Sequence, residues 1–566
     1  MRSVVHEPEL VVERLNTIFL RLLISAVLVV FLVGVASLIS GCVKSPQEPP
    51  GVVDSDAGSS PKQTTPTPGK PLLEPKETRV KPHLVKSYEV PGQLWSVNPD
   101  LAISPDGKYL LTIRNDSTGA KAVVLPISDR ASMDMGGITL HSVDKDWMEE
   151  HMFGYYPLGW INDTECIFVA QGWQYKGPHE GKYGTAFFVG DVKKGSSEEM
   201  TFIDLPEEAY LSFGTFIPQT GEAYVQVKGE IWAYDTKERS LRLVKKSLPI
   251  YDGLFNPKIS PDGRYFVYEK YEEDRKGIFL LDTATGSEKP LLLSDETMSF
   301  YPFWSPDGRY IAAYTAFRKG TGQGGDKSGN DWDDYEVLPS EDGLMPVAGA
   351  ISVVDLNGNV VNTIKIDGKM VSDFRWSPTG NAIAFLCGTV RKSGADFSGF
   401  DQFLAESIYL AEPTGGRDSL WKLTDIPRGT REGGTDEVAG YVILAGVDPD
   451  GRGVLYNDYR GDTVSVSHVR IGATGDPIKI EGGVSYYDVI PTYGDSLLSI
   501  VEGFGKSGVW LFTPDGAEET VAFEEGRTAS LLGFNEDTVV IGSEPVQFDF
   551  PVSEETTCTV MVFKVE

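Results

Sequence analysis

With 566 residues, 41% of them hydrophobic, 61 Gly and 35 Pro, the chain has enough apolar and turn-forming material for several domains or one large β-repeat array. Its formal charge is −31; residues 1–41 balance three Arg against three Glu and residues 42–83 carry six basic and five acidic groups, so residues 84–566 hold −32. That surface repels a phosphate backbone and argues against nucleic acid as a partner, and the four scattered cysteines (Cys42, Cys166, Cys387, Cys558) form neither a CxxC pair nor a disulfide framework.

The first predicted element is an uncharged run at 22–41, LLISAVLVVFLVGVASLISG, long enough to span a bilayer as an apolar helix. Arg14 and Arg21 precede it, which orients the N-terminus to the cytoplasm and the remainder outside. The run ends in Ile39-Ser40-Gly41-Cys42, which resembles the lipobox of bacterial lipoproteins. The resemblance implies a signal peptide at 1–41, lipidation of Cys42 and attachment to the outer face of the cytoplasmic membrane in a bacterial envelope. An uncleaved signal anchor is the other reading, and it too leaves the remainder extracytoplasmic. Residues 42–83 are rich in Pro, Ser and Thr and cannot bury a core. They are expected to form a disordered, flexible tether reaching at most on the order of 100 Å.

From residue 84 a turn motif recurs. ISPDGKYLL begins at Ile103, ISPDGRYFV at Ile259, WSPDGRYIA at Trp304, WSPTGNAIA at Trp376 and VDPDGRGVLY at Val447. Looser copies begin at Trp160, Ile217, Ile490 and Phe534. In the strict form Pro presets φ, Asp bonds to the backbone two residues on, and Gly accepts positive φ. The intervals are 57, 57, 42, 45, 72, 71, 43 and 44 residues, a period near 43 with insertions. Each unit holds four strand-like runs, as in FYPFWS, RYIAAYTAF, AGAISVVDL and VVNTIKID of the fifth, and propeller blades have this period. The residue before each turn is large and apolar, and is expected to be buried between neighbouring blades.

The Ser-Pro-Asp-Gly-Arg/Lys repeats make about residues 85–566 similar to bacterial TolB-type and WD-like propellers and to the propeller domains of prolyl-oligopeptidase-family enzymes. The resemblance implies an all-β fold, a single β-propeller over 84–566. The expected number of four-stranded blades is eight, within a range of seven to nine, because one weak copy need not form a full blade. The last unit ends one strand short at Glu566, and HLVKSYEVPG at 83–92 is placed to complete it.

Catalytic motifs fare poorly. The hydrolase domain of prolyl-oligopeptidase enzymes needs about 200 further residues carrying Gly-x-Ser-x-Gly, and the repeats leave no room for it. GDSLL at Gly494 falls within a repeat turn. His141 and His151 flank the acidic stretch HSVDKDWMEEH as a conceivable metal pair, and HEGKYG at His179 lacks a zincin's second histidine. An acidic, Gly-rich insertion at about 318–345 could place Asp331, Asp333 and Asp334 around Ca²⁺, although EF-hand spacing is missing and a solvated loop accounts for the carboxylates as well. No other cofactor is expected.

A binding surface remains. Tyr156, Tyr251, Tyr301, Asp373 and Tyr487 precede turns at comparable positions and would ring one face of the disc, unless they pack between blades. The reading is a membrane-tethered, extracytoplasmic, non-catalytic binding or scaffold module for a protein, peptide or envelope polymer. Its alternative is a propeller-class glycan lyase or hydrolase using carboxylates in the central channel.

Overall fold

The computed structural model describes residues 82–565 apart from loop segments, chiefly 130–135, 247–257, 320–334, 339–346, 392–401, 431–436, 486–495 and 546–555, with shorter pieces elsewhere. The apolar run, Cys42 and nearly all of the tether lie outside the described residues.

Strand pairing follows the turns. In blade 5 Thr297–Trp304, Tyr310–Phe317, Ala350–Asp355 and Val360–Ile364 pair in that order from the axis outward. Eight sheets are built this way, spanning 93–144, 153–204, 211–245, 258–292, 297–364, 370–425, 441–481 and 483–522 as blades 1 to 8. The ninth takes Arg527–Phe534, Thr538–Pro545 and Thr557–Val565 from the C-terminal region and its outer strand, Pro82–Pro91, from the N-terminal side. Pro82 faces Val565 and Pro91 faces Thr557 across that antiparallel pair, so the two ends of the propeller close the ring.

The propeller therefore has nine blades, not the expected eight. The expectation discounted one weak copy because four to eight blades are usual, yet the looser copies at Trp160, Ile217 and Phe534 each head a full four-stranded sheet. Backbone pairing and alternating apolar side chains make a blade, and the Ser-Pro-Asp-Gly turn only tightens one corner.

The serine is the hub of that corner. Ser305 Oγ donates to Asp307 at 2.7 Å and accepts from the Tyr310 N–H at 2.9 Å, while the Gly308 N–H donates to the Ser305 carbonyl at 2.8 Å and Gly308 sits at φ +70°. Ser104 and Ser260 repeat the pattern. Successive turns stack around one face: a Cβ on Gly263 would meet Ile217 of the preceding blade at 2.6 Å. Blade 7 replaces the serine with Asp448, which cannot donate. Its buried carboxylate is instead held by Arg470 and by His468 Nε2 at 2.8 Å, both on the blade's third strand.

A radial sheet exposes both faces to its neighbours, so the core lies in the seams. Nine clusters of buried apolar side chains occur among the described residues, one per seam. The cluster between blades 9 and 1 joins Val90, Val540, Val560 and Val562 of blade 9 to Leu94 and Leu110 of blade 1. Of the residues before the turns, Ile103, Trp160, Ile217 and Val447 are buried, and Ile259, Trp304, Trp376 and Phe534 are half-buried. Ile490 lies outside the described residues. Trp160 Nε1 donates to the Ala102 carbonyl at 2.7 Å and Trp304 Nε1 to that of Lys258 at 2.8 Å, so each indole bonds to the preceding blade. Cys166, Cys387 and Cys558 are buried free thiols.

Candidate functional site

The up-and-down course of each blade sorts its connections between two faces. The turns after inner strands and those between third and outer strands share one face, the turn face. Those between second and third strands, and those between blades, share the other. The long connections fall mostly on this second face, the loop face: 145–152, 174–182, 246–257, 318–349, 392–401, 426–440 and 546–556. The turn face carries mainly short turns, with longer stretches at 96–108, 127–137 and 486–496. Pro82 and Val565, where the propeller's outer ninth blade begins and ends, also lie on the turn face.

The largest connection reaches towards the axis. Within 318–349, Val337–Leu338 pairs with Val347–Ala348, and Ala348 pairs with Val371 on the inner strand of blade 6. An inner strand's free edge borders the channel, so this ribbon extends blade 6 into the channel mouth on the loop face. Asp331, Asp333 and Asp334 lie outside the described residues.

A second group occupies the loop face over blades 1 and 2. Asp144 caps the short helix Lys145–Glu150 by accepting from the Asp146 N–H at 2.9 Å. The helix sets Trp147 against His151, rings 3.9 Å apart and nearly parallel. Tyr175 lies 5.5 Å from Trp147, and Trp173 meets His151 edge-on at 5.9 Å. Trp147 Nε1 donates to the Trp173 carbonyl at 3.4 Å, which ties the helix to blade 2. The aromatic rings are half-buried, and Met152 beside them is 56% exposed.

The histidines flanking this stretch do not converge. His151 Nδ1 lies 3.1 Å from the Trp147 carbonyl, whereas His141 Nδ1 lies 2.6 Å from the Tyr155 hydroxyl in the seam between blades 1 and 2. Burial pulls the His141 imidazole down to about 4, which keeps it neutral near pH 7. His179 pairs with Glu199 at 2.5 Å and stacks on Phe202. No cluster of three or more His, Cys, Asp or Glu suited to a metal occurs among the described residues.

Three of the five candidate face residues are described. Tyr156 packs into the seam between blades 2 and 3. Tyr301 packs into that between blades 5 and 6, at φ +52°. Its N–H donates to Glu269 of blade 4 at 2.7 Å, and Glu269 forms a 3.1 Å ion pair with Lys276, both side chains 1% exposed. Asp373 is 4% exposed at φ +43° and accepts from the Leu444 N–H of blade 7 at 2.5 Å. These three tie blades together at the inner strands. Tyr251 and Tyr487 lie outside the described residues.

Two ionisable groups stand close to the axis near the turn face. Residues 96–101 leave the inner strand of blade 1, and Asn98 Nδ2 donates to the carbonyls of Pro157 at 2.8 Å and Gly214 at 3.1 Å on the inner strands of blades 2 and 3. Desolvation raises the Asp100 carboxyl on this excursion above the usual range, although the residue is exposed, which keeps the effect small. Desolvation likewise lowers the Lys258 ammonium, which lies 5.8 Å from the Phe303 ring. A cleft of about 520 Å³ opens on the turn face between blades 9 and 1. Its charges pair off as Lys86–Asp129, Lys108–Asp106 and Lys564–Asp537, at 3.5, 2.7 and 3.0 Å.

No protein-family model matches the sequence, and no curated protein matches it. Among solved structures, an oligogalacturonate lyase in complex with manganese aligns over 84% of this chain and 98% of its own at 10% identity, with a TM-score of 0.36. Dipeptidyl peptidase 4 of Porphyromonas gingivalis aligns over 79% of this chain and 56% of its own at 11% identity, TM-score 0.37. A putative TolB from Agrobacterium tumefaciens aligns over 53% and 86% at 16% identity, TM-score 0.27. At these identities the likeness extends to the β-propeller fold alone.

Proposed function

We propose that this chain is an extracytoplasmic, membrane-tethered propeller that binds a protein, peptide or envelope polymer through its loop face without catalysing a reaction. The observation that carries the reading is the lopsided distribution of connections: most of the long ones, the longest at 318–349 included, lie on the loop face, and repeat proteins commonly build binding surfaces on the face that takes their insertions. The insertion at about 318–345 adds seven carboxylates to that side in sequence, and its described ribbon borders the channel mouth. A lipid anchor at Cys42 followed by the tether of 42–83 would enter the propeller at Pro82, on the turn face, leaving the loop face directed away from the bilayer. A channel enzyme would place two or more carboxylates of raised pKa together. Asp100 is one such group, while Asp450, also raised by desolvation, is ion-paired to Arg470.

The test is capture of a partner from detergent-solubilised envelope by the full chain, with and without residues 320–346 replaced by a short Gly-Ser linker. Capture is expected to fall at least tenfold on replacement. Capture that is lost instead on replacing Asp100 or Lys258, with the insertion dispensable, would move the site to the axis near the turn face.

A further inference from the structure

The aromatic group over blades 1 and 2 has no role in closing the ring, yet it is built with care. Trp147 and His151 come from the connection 145–152, Trp173 from the end of the second strand of blade 2 and Tyr175 from the connection 174–182, and they meet because all lie on the loop face. The rings hold one another through stacking and edge contacts, and Asp144 pins the helix that carries Trp147. A ligand therefore meets a surface whose side chains have already lost their rotamer freedom. Met152, at 56%, is the most exposed large hydrophobic side chain among the described residues. Aromatic residues and methionine are enriched at protein interfaces.

The rim indicates the sign of charge that fits. Asp144, Asp146 and Glu150 are exposed beside the rings. Of the basic residues on the two connections, Lys145, Lys176 and Lys182, Lys176 lays its ammonium 4.4 Å from the centre of the Tyr175 ring, so the platform already accommodates one cation on an aromatic face. Residues 84–566 carry −32, which disfavours an acidic partner at any range the ionic medium leaves unscreened.

We propose that the Trp147–His151–Trp173–Tyr175 platform, with Met152 beside it, docks a basic peptide segment of a partner protein that carries an apolar anchor. Met152 and the ring edges receive the anchor, and Asp146 and Glu150 pair with the flanking basic side chains. This rests on the loop face being the binding face, and names the kind of partner it takes.

The test titrates the full chain in detergent with the peptide Lys-Lys-Leu-Phe-Leu-Lys-Lys, following Trp147 and Trp173 fluorescence and heat of binding. Glu-Glu-Leu-Phe-Leu-Glu-Glu and Lys-Lys-Ser-Gly-Ser-Lys-Lys are the controls for charge and anchor. Saturable binding is expected for the first peptide, at least tenfold tighter than for either control, and weaker in added salt. Met152→Ser is expected to weaken it at least fivefold, and Asp146→Lys with Glu150→Lys at least tenfold; all three side chains are exposed, so the fold should hold, as circular dichroism will check. Equal binding of the acidic peptide, no saturable binding of the basic one, or indifference to both variants would overturn the proposal. So would binding of cellohexaose in place of the peptide, or self-association that Met152→Ser abolishes. If envelope capture still depends on 320–346 while Met152→Ser changes nothing, the docking proposal falls and the broader reading of the loop face stands.

Discussion

Deleting Pro82–Pro91, with the residues ahead of them retained, is expected to unfold the propeller. The strand pairs along nearly its whole length with Thr557–Val565, and Val90 is buried in the seam between blades 9 and 1. Tyr88 donates to the Pro126 carbonyl of blade 1 at 2.8 Å, so the strand bridges the two blades as well as completing one. Several ladder hydrogen bonds at about 1 kcal/mol each, together with the lost apolar burial, approach the 5–15 kcal/mol typical of a whole domain. The deletion also leaves Thr557–Val565 as an unprotected edge strand, a route to aggregation. Thermal denaturation followed by circular dichroism is the check, and adding the peptide Pro-His-Leu-Val-Lys-Ser-Tyr-Glu-Val-Pro-Gly in trans should restore part of the transition. A deletion variant that melts cooperatively within a few degrees of the intact protein would mean that the ring closes elsewhere.

The second large effect concerns the buried ion pair of blade 4. Lys276→Met leaves Glu269 charged, 1% exposed and bonded to the Tyr301 N–H without its cation, and is expected to cost about 3–5 kcal/mol. The double variant Glu269→Gln with Lys276→Met should recover most of that loss, because the amide oxygen still accepts from Tyr301 while no charge stays buried. Urea denaturation of the three proteins decides between charge and contact: a double variant as unstable as the single one would assign the loss to the contacts of the lysine itself, whose ammonium lies 5.5 Å from the centre of the Tyr271 ring.

The turn motif made the fold legible, and even the strands of blade 5 could be read from their apolar runs. The blade count fell short for a physical reason: Trp160, Ile217 and Phe534 introduce turns without Ser-Pro-Asp-Gly, and pairing does not require that chemistry. The role of the serine was not foreseen. It shows when the strict copies are compared, since the one of these five that lacks it, at Asp448, supplies His468 and Arg470 in compensation.

The candidate site was less legible. Tyr156, Tyr301 and Asp373 were selected for their place before a turn, but sheets standing radially aim their inner-strand side chains at the next blade, and these three sit in or across seams. The platform is not legible in the sequence because Trp147 and Trp173 are brought together by the meeting of a connection with a strand end of the next blade, which no local pattern announces. The available signal was Asp144 followed by an aromatic, a helix cap in a stretch otherwise noted for its histidines and charge.

Amide hydrogen exchange of the full chain, free and bound to whatever partner the envelope supplies, tests the assignment of the two faces most directly. Protection is predicted at 145–152, 174–182 and 347–349, with the turns at 104–108, 260–264 and 305–309 unchanged. Protection confined to those turns and the cleft between blades 9 and 1 would contradict it.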